Sequence, residues 1–375
     1  MLLSGKSLFH LPGSVYEQDD PDPILPETLR LAGWATFATG KWHNGRRWFH
    51  RAFEHGDAIF HGGMGPHRGL PVHHFDPRGR YDDGERYPAA GFSSAVFADA
   101  ALAFLEWLGE HAPDQPFLAW VAFTAPHDPR TPPAEYRAMY DPDALPVPAN
   151  FAPVHPFDNG DMLVRDELLG PWPRTPEVLQ REWADYYGMI SHMDAQIGRI
   201  LEGLESSGRA ANTLVVFCSD QGLALGGHGL MGKQNLYEDS LRVPLVISGP
   251  GVPHGSSGAL VYLLDVYPTL CELLGLEIPP GVEGRSLVPI LRGGRAQVRD
   301  ALFSAYLDVQ RAVRDERWKL IEYPQAGVTQ LFDLARDPDE LHDLGGDPEL
   351  AERRDALRAR MAALQVELGD PLRAR

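Results

Sequence analysis

The chain has 375 residues, 43% of them hydrophobic, which is enough material for a large domain with a buried core and a smaller one beside it. Its 52 acidic residues outnumber 34 basic ones, and the formal charge of -18 argues against nucleic acid or an anionic membrane as partner. No window approaches the roughly 18 consecutive apolar residues that a transmembrane helix needs, and Met1 to Lys6 carry neither the basic n-region nor the extended apolar h-region of a signal peptide. The 2 cysteines, Cys218 and Cys271, read as buried thiols rather than a disulfide framework.

In chain order, Pro26 to Ala32 predicts a short helix stopped by Gly33, and Ala35 to Ala38 a short strand. Ser94 to His111 places Val96, Phe97, Ala100, Ala101, Phe104, Leu105 and Leu108 on one helical stripe. Phe117 to Phe123 is a strong apolar strand, and Pro176 to Glu205 a long helix closed by Gly208. Leu214 to Phe217 and Val243 to Ile247 are apolar and β-branched, as buried parallel strands are. After about residue 295 the pattern changes to the strands Ala301–Tyr306, Arg311–Arg314 and Trp318–Tyr323, then an Arg- and Ala-rich helix over 348–366. The expectation is an α/β domain with a mostly parallel central sheet flanked by helices over 1–294. A C-terminal subdomain over 295–375 then adds a small antiparallel sheet plus helix.

Three of the strands run into polar sequence. Ala35–Ala38 leads to Gly40-Lys41-Trp42-His43, Phe117–Phe123 to Ala125-Pro126-His127-Asp128-Pro129, and Leu214–Phe217 to Ser219-Asp220-Gln221-Gly222. Ligands bind at the carboxyl ends of strands in open α/β sheets, so these runs are expected to build one polar site. The segment Gly227-His228-Gly229-Leu230-Met231-Gly232-Lys233 follows closely enough to fold back over it. Singly, each residue has a plainer reading: Asp220 as a turn residue, His127 as a loop residue, Lys41 as a solvated charge. Collectively, with glycines allowing close backbone approach, they favour an anion-handling site.

The ordered set of motifs resembles the formylglycine-dependent sulfatases of the alkaline-phosphatase superfamily. Gly40-Lys41-Trp42-His43 is similar to that family's G-K-W-H. Ser219 to Lys233, with Tyr237-Glu238 and Arg242-Val243-Pro244-Leu245, resembles its S-D-x-G…H-G…G-K…Y-E…R-V-P block. Asp265-Val266-Tyr267-Pro268-Thr269, Gly284-Arg285-Ser286-Leu287 and Leu331-Phe332-Asp333-Leu334 extend the likeness along nearly the whole chain. The resemblance implies a hydrolase of sulfate esters, with a sulfated sugar or an aryl sulfate as substrate. It implies Lys41 and Lys233 on the sulfate oxygens, His127 as proton donor to the leaving group and His43 beside the nucleophile. His228 would line the substrate, and Asp220 and Gln221 would ligate Ca2+, or Mg2+. Two alternatives share much of this pocket: a phosphonate monoester or phosphodiester hydrolase, and a non-catalytic remnant that binds anions.

The family's nucleophile is a cysteine in C-x-P-S-R, converted to formylglycine, and neither Cys218-Ser219-Asp220 nor Cys271-Glu272-Leu273 fits it. Leu2-Leu3-Ser4-Gly5-Lys6 resembles the stretch that follows this motif in relatives, so the sequence is expected to start just downstream of it, without the upstream Asp-Asp metal ligands. Calcium takes about six to eight oxygen ligands, and one carboxylate with one amide should hold it weakly. Asp19-Asp20, in a run of Asp and Pro, reads as a solvated turn. His192 and Asp194 fall inside the long helix and are expected to pack there. His61, His67, His73 and His74, in a Gly-rich stretch, are expected to form a surface that sets substrate specificity.

Overall fold

The computed structural model describes residues 1–11 and 22–372; Asp19 and Asp20 lie outside them. The chain divides into two compact units, one of residues 12–145 with 181–213, the other of 1–11, 146–180 and 214–375.

In the first unit, α1 (Leu25–Leu31) carries Pro26 in its first turn, where the missing N–H costs nothing, and stops before Gly33. Then follow β1 (Ala35–Lys41), α2 (Arg46–Ala52), β2 (His55–Phe60), the two-residue strands β3 (Pro71–Val72) and β4 (Tyr87–Pro88), α3 (Ser93–His111), β5 (Phe117–Ala122) and α4 (Ala134–Arg137). Most of α5 (Pro176–Ser206) belongs here as well. The main sheet is parallel, in the order β2-β1-β5. β1 continues past the expected Ala38 because Gly40 and Lys41 stay paired, Gly40 with Ala122 and Lys41 with Phe60. Its first six residues are buried, and the helical stripe of α3 lies against it, with Phe104 stacked on Phe37 at 4.5 Å. β2 was not anticipated, because His55-Gly56-Asp57 hides its periodicity. β5 forms the other edge, and every residue of it is half-buried. Its sequence, Phe117-Leu118-Ala119-Trp120-Val121-Ala122, has neither charge nor proline to blunt that edge.

The second unit contains β6 (Val215–Cys218), α6 (Glu238–Leu241), β7 (Leu245–Ser248), α7 (Val266–Leu274), α8 (Val288–Leu291), β8 (Leu302–Tyr306), β9 (Gln310–Arg314), β10 (Trp318–Tyr323), β11 (Val328–Asp333) and α9 (Ala351–Glu367). β6 and β7, expected to be buried and parallel, are instead antiparallel partners, with Phe217 39% and Val246 54% exposed. The only helix between them is the single turn α6, too short for the crossover that parallel pairing needs.

β8 to β11 form an antiparallel sheet in the order β11-β10-β9-β8, and both of its faces are buried. Side chains alternate along each strand. Val313, Leu320 and Leu331 point with Phe303 and Trp318 to one side, where Leu357, Met361 and Leu364 of α9 meet them at helical spacing. Ala312, Ile321 and Phe332 point with Tyr323 to the other, against Ala224, Leu230, Leu236 and Tyr237. The second face therefore grips the segment that carries His228 and Lys233.

A buried ion cluster fastens the same contact. Lys319 on β10 is fully buried; its Nζ lies 3.1 Å from Glu238 Oε1 and 2.8 Å from Glu340 Oε1. Arg314 Nη1 adds a second cation 3.2 Å from Glu238 Oε2, and the Glu238 amide donates to Glu340 Oε2 at 2.7 Å. Burial pushes the Glu340 carboxyl up, and Lys319 pulls it partly back. Lys319→Ala leaves two carboxylates short of a cation and should cost about 3–5 kcal/mol, the usual loss on breaking a buried pair. Urea unfolding of the two proteins measures it; a loss within about 1 kcal/mol, as for an exposed pair, would show that the cluster is not structural.

Candidate functional site

In the first unit, the parallel register decides which side chains share an edge. Gly40 on β1 lies beside Ala122 on β5, so the chain leaves both strands at the same carboxyl end. Lys41-Trp42-His43 departs from one, and the turn to His127 from the other. Gly40 has φ +90°, and a Cβ there would run into the Ala122 carbonyl, so only glycine permits this pairing. Trp42 is buried, its indole N–H donates to the Gly45 carbonyl at 2.7 Å, and its ring meets Phe49 and Phe53 edge-on, each at 5.5 Å. That anchor fixes the backbone between half-buried Lys41 and exposed His43.

The His127 turn is held from inside. The His127 amide donates to Thr124 O at 3.0 Å, and its Nδ1 lies 2.9 Å from Asp128 O and 3.2 Å from Asp128 Oδ1. That contact places the ring proton on Nδ1. His67 Nε2 donates to the His127 carbonyl at 2.7 Å, while its Nδ1 faces Ser93 Oγ at 3.2 Å and Thr124 Oγ1 at 3.3 Å. Ser93 and Thr124 are bonded in turn at 2.9 Å. His67 is 4% exposed, and burial lowers its pKa, so it serves as a neutral structural donor. Nothing in the sequence singled out this network, because its members are far apart along the chain.

The histidine-rich stretch is not the surface expected of it. His67 and His73 are buried, and His61 packs on His73 and Tyr81 with ring centroids 5.5 and 4.5 Å away. Burial first, then the neighbouring His73, push the His61 pKa to about 3. Only His74 is exposed. Aromatic neighbours enclose His61 and His73, a fact of tertiary packing that a polar-looking sequence concealed. His192 does pack, against Phe92 and Tyr136 at 5.6 and 5.0 Å, whereas Asp194 is exposed on the solvent side of α5.

In the second unit, β6 ends at Cys218 and passes into Ser219-Asp220-Gln221-Gly222, where Asp220 is exposed and Gln221 half-buried. Ser219 Oγ donates to the Gln221 carbonyl at 2.8 Å, closing the turn. A Cβ at Gly222 would strike the Asp239 carbonyl. The chain then doubles back: Ala224 N bonds Gly232 O at 3.0 Å, Leu225 N bonds Met231 O at 3.4 Å, and Gly226 N bonds Leu230 O at 2.7 Å. Lys233 follows the open end of this loop, closed by the Ala224–Gly232 bond, whereas His228 sits near its tip. The His228 ring stacks on Tyr237, centroids 3.8 Å apart and 10° from parallel. Burial, then the charges of His155 and Lys319, lower its pKa to about 4, so it is neutral at physiological pH.

Among the described residues, no three His, Cys, Asp or Glu side chains are grouped to hold a metal ion. Asp220 and Gln221 are hard oxygen donors of the kind calcium or magnesium takes, but they fall short of a full set. Cys218 is half-buried rather than buried as expected; burial, then Asp220, raise its thiol pKa. Burial takes the Cys271 thiol to about 11. Both are poor nucleophiles at neutral pH.

A depressed histidine pKa ties stability to pH. The unfolded chain takes up the proton near 6.5 and the folded His228 near 4, so its contribution is complete above about pH 6.5 and declines as pH falls toward 4. His228→Asn, which suits the left-handed backbone at φ 54°, should flatten the fall in stability over that window by an amount on the order of 3 kcal/mol, seen as a smaller drop in melting temperature. Thermal melts between pH 7 and 4 test this; parallel curves for the two proteins would refute it.

The family model described as Sulfatase matches residues 3–276, and that described as N-sulphoglucosamine sulphohydrolase, C-terminal, matches 226–367. Choline-sulfatase of Rhizobium meliloti (strain 1021) is 37% identical over 181 residues, which is 46% of this chain and 35% of that protein. An arylsulfatase of Clostridium perfringens is 36% identical over 48% of this chain and 40% of its own length, so these matches span well under half of either relative. N-acetylglucosamine-6-O-sulfatase of Bacteroides thetaiotaomicron is 26% identical over 92% of this chain and 73% of its own. A solved complex with the substrate D-glucosamine-2-N,6-O-disulfate superimposes with a TM-score of 0.80 at 22% identity, covering 99% of this chain and 88% of that one. The phosphonate monoester hydrolase of Agrobacterium radiobacter does so with a TM-score of 0.73 at 24% identity, over 98% and 85%. The fold is thus that of the alkaline-phosphatase-like sulfatases.

Proposed function

Because the chain belongs to the sulfatase family, we propose that it provides the main body of a sulfuric ester hydrolase acting on a sulfated sugar. The observation that carries the reading is the register of Gly40 with Ala122, which sends Lys41 and the His127 turn off one sheet edge. The sugar is supported by the N-acetylglucosamine-6-O-sulfatase likeness, which runs along 92% of the chain.

In this reading Lys41 and Lys233 take sulfuryl oxygens, whose negative charge grows as the ester bond breaks. With the His127 Nδ1 proton turned to Asp128, the ring acts on the departing alkoxide through Nε2. His43 assists beside the nucleophile, and His228 shapes the substrate side as a neutral ring. Asp220 and Gln221 would be two oxygen donors toward Ca2+ or Mg2+, which would stabilise the charge that grows on the sulfuryl group. The formylglycine nucleophile that the family likeness implies would need a C-x-P-S-R motif, which this sequence does not contain. Residues 295–375 serve as the C-terminal subdomain.

Turnover of 4-nitrophenyl sulfate compared with bis(4-nitrophenyl) phosphate, by the protein as its gene encodes it, tests the assignment. The sulfate should be preferred, and Lys41→Ala or His127→Ala should each lower its kcat/KM by about 10²-fold or more. Preference for the phosphodiester would move the protein to the phosphonate and phosphodiester hydrolases, and binding without turnover would make it a non-catalytic anion-binding protein.

A further inference from the structure

Two neighbouring carboxylates from a distant part of the second unit hold Lys233 and the backbone just before it. Asp166 is 6% exposed. Its Oδ2 accepts from Gln234 Nε2 at 2.8 Å and lies 3.4 Å from Lys233 Nζ, and its Oδ1 accepts from Arg165 Nη1 at 2.6 Å. Glu167, 3% exposed, accepts the backbone amides of Met231 and Gly232 at 2.9 and 2.8 Å, and Arg174 Nη2 at 2.8 Å. Glu167 fixes the backbone that leads into Lys233, and Asp166 fixes the ammonium.

Glu167 is balanced by Arg174, itself 2% exposed. Asp166 is a different case, because it faces the very cation assigned to the ligand. Burial alone would raise its pKa, but the Gln234 hydrogen bond, the charge of Lys233 and the Arg165 hydrogen bond outweigh that and lower it. A fixed negative charge therefore stands beside Lys233 at neutral pH. The nearby Asp161 carboxylate is occupied by the Tyr306 hydroxyl, and Arg165, at 45% side-chain exposure, is screened by solvent.

A sulfate monoester carries one negative charge, and a phosphate monoester two above about pH 7. Both groups are tetrahedral and nearly equal in size, so shape separates them poorly and charge separates them well. Building on the assignment of Lys233 to a sulfuryl oxygen, we propose that Asp166 is a positioning and selectivity residue: it orients the Lys233 ammonium and disfavours doubly charged phosphoryl monoesters against singly charged sulfuryl esters. One unit of charge about 6 Å away, across an effective dielectric of about 40, changes the affinity ratio on the order of tenfold.

Benzenesulfonate and phenylphosphonate make a matched, non-hydrolysable pair with one and two charges at about pH 8.5. Isothermal titration at low salt should show the wild-type protein preferring benzenesulfonate. Asp166→Asn should shift the ratio of dissociation constants toward phenylphosphonate about tenfold, and Asp166→Glu, which keeps the charge, should restore the wild-type ratio. Should Asp166→Asn fail to fold, Asp166→Ser removes the same charge and carries the test. If both affinities fall in parallel and the ratio is unchanged, Asp166 is merely structural and the proposal is overturned. Lys233→Ala separates the two layers. If it leaves both affinities intact, the role of Lys233 itself is wrong; if it weakens both while the Asp166 ratio stays unmoved, only the selectivity claim falls.

Discussion

A fully buried lysine between two glutamates is the constraint on which the second unit depends. Lys319 belongs to the sheet, Glu238 to the end of the segment that carries Lys233, and Glu340 to the loop after β11. Desolvating an ammonium is costly, and only partners in good geometry offset it. The cluster therefore admits one register of that segment on the sheet, and the apolar contacts of Leu230, Leu236 and Tyr237 with Ile321 and Phe332 reinforce the same register. The position of the candidate anion-binding lysine is thus decided some way from Lys233 itself.

Close backbone approach supplies the second constraint. Gly40 and Gly222 each stand where a Cβ would collide with a carbonyl oxygen of a neighbouring segment. Both glycines border a strand end that delivers polar side chains, Lys41 in one case, Asp220 and Gln221 in the other. Strands determine direction; the glycines determine how closely the next segment packs, and hence where the following side chains emerge.

Burial sorts the histidines into two kinds. His61, His67 and His228 are held neutral by desolvation and by neighbouring rings or cations. They build turns and stacks rather than exchange protons near neutrality. His43, by contrast, is exposed and His127 half-buried. A polar residue type marks where chemistry could occur, and its surroundings decide whether it does.

Much of this was legible in the residues alone. The stripe of Val96 to Leu108 declares itself by periodicity, because local pattern and burial agree there; the run Phe117 to Phe123 and the long helix from Pro176 declare themselves by apolar character and length. The ordered G-K-W-H and S-D-Q-G…G-K motifs pointed to the family for a similar reason: strand-end chemistry is written in short contiguous runs. The antiparallel pairing of β6 with β7, the strand β2, the enclosed histidines and the bond from His67 to the His127 carbonyl were decided only by tertiary structure. So was the approach of Asp166 to Lys233, 67 residues apart in the numbering and 3.4 Å apart in space. Periodicity reports which face of an element is buried; it carries no information on which distant segment buries it, and pairing direction, ion partners and desolvation all follow from that partner.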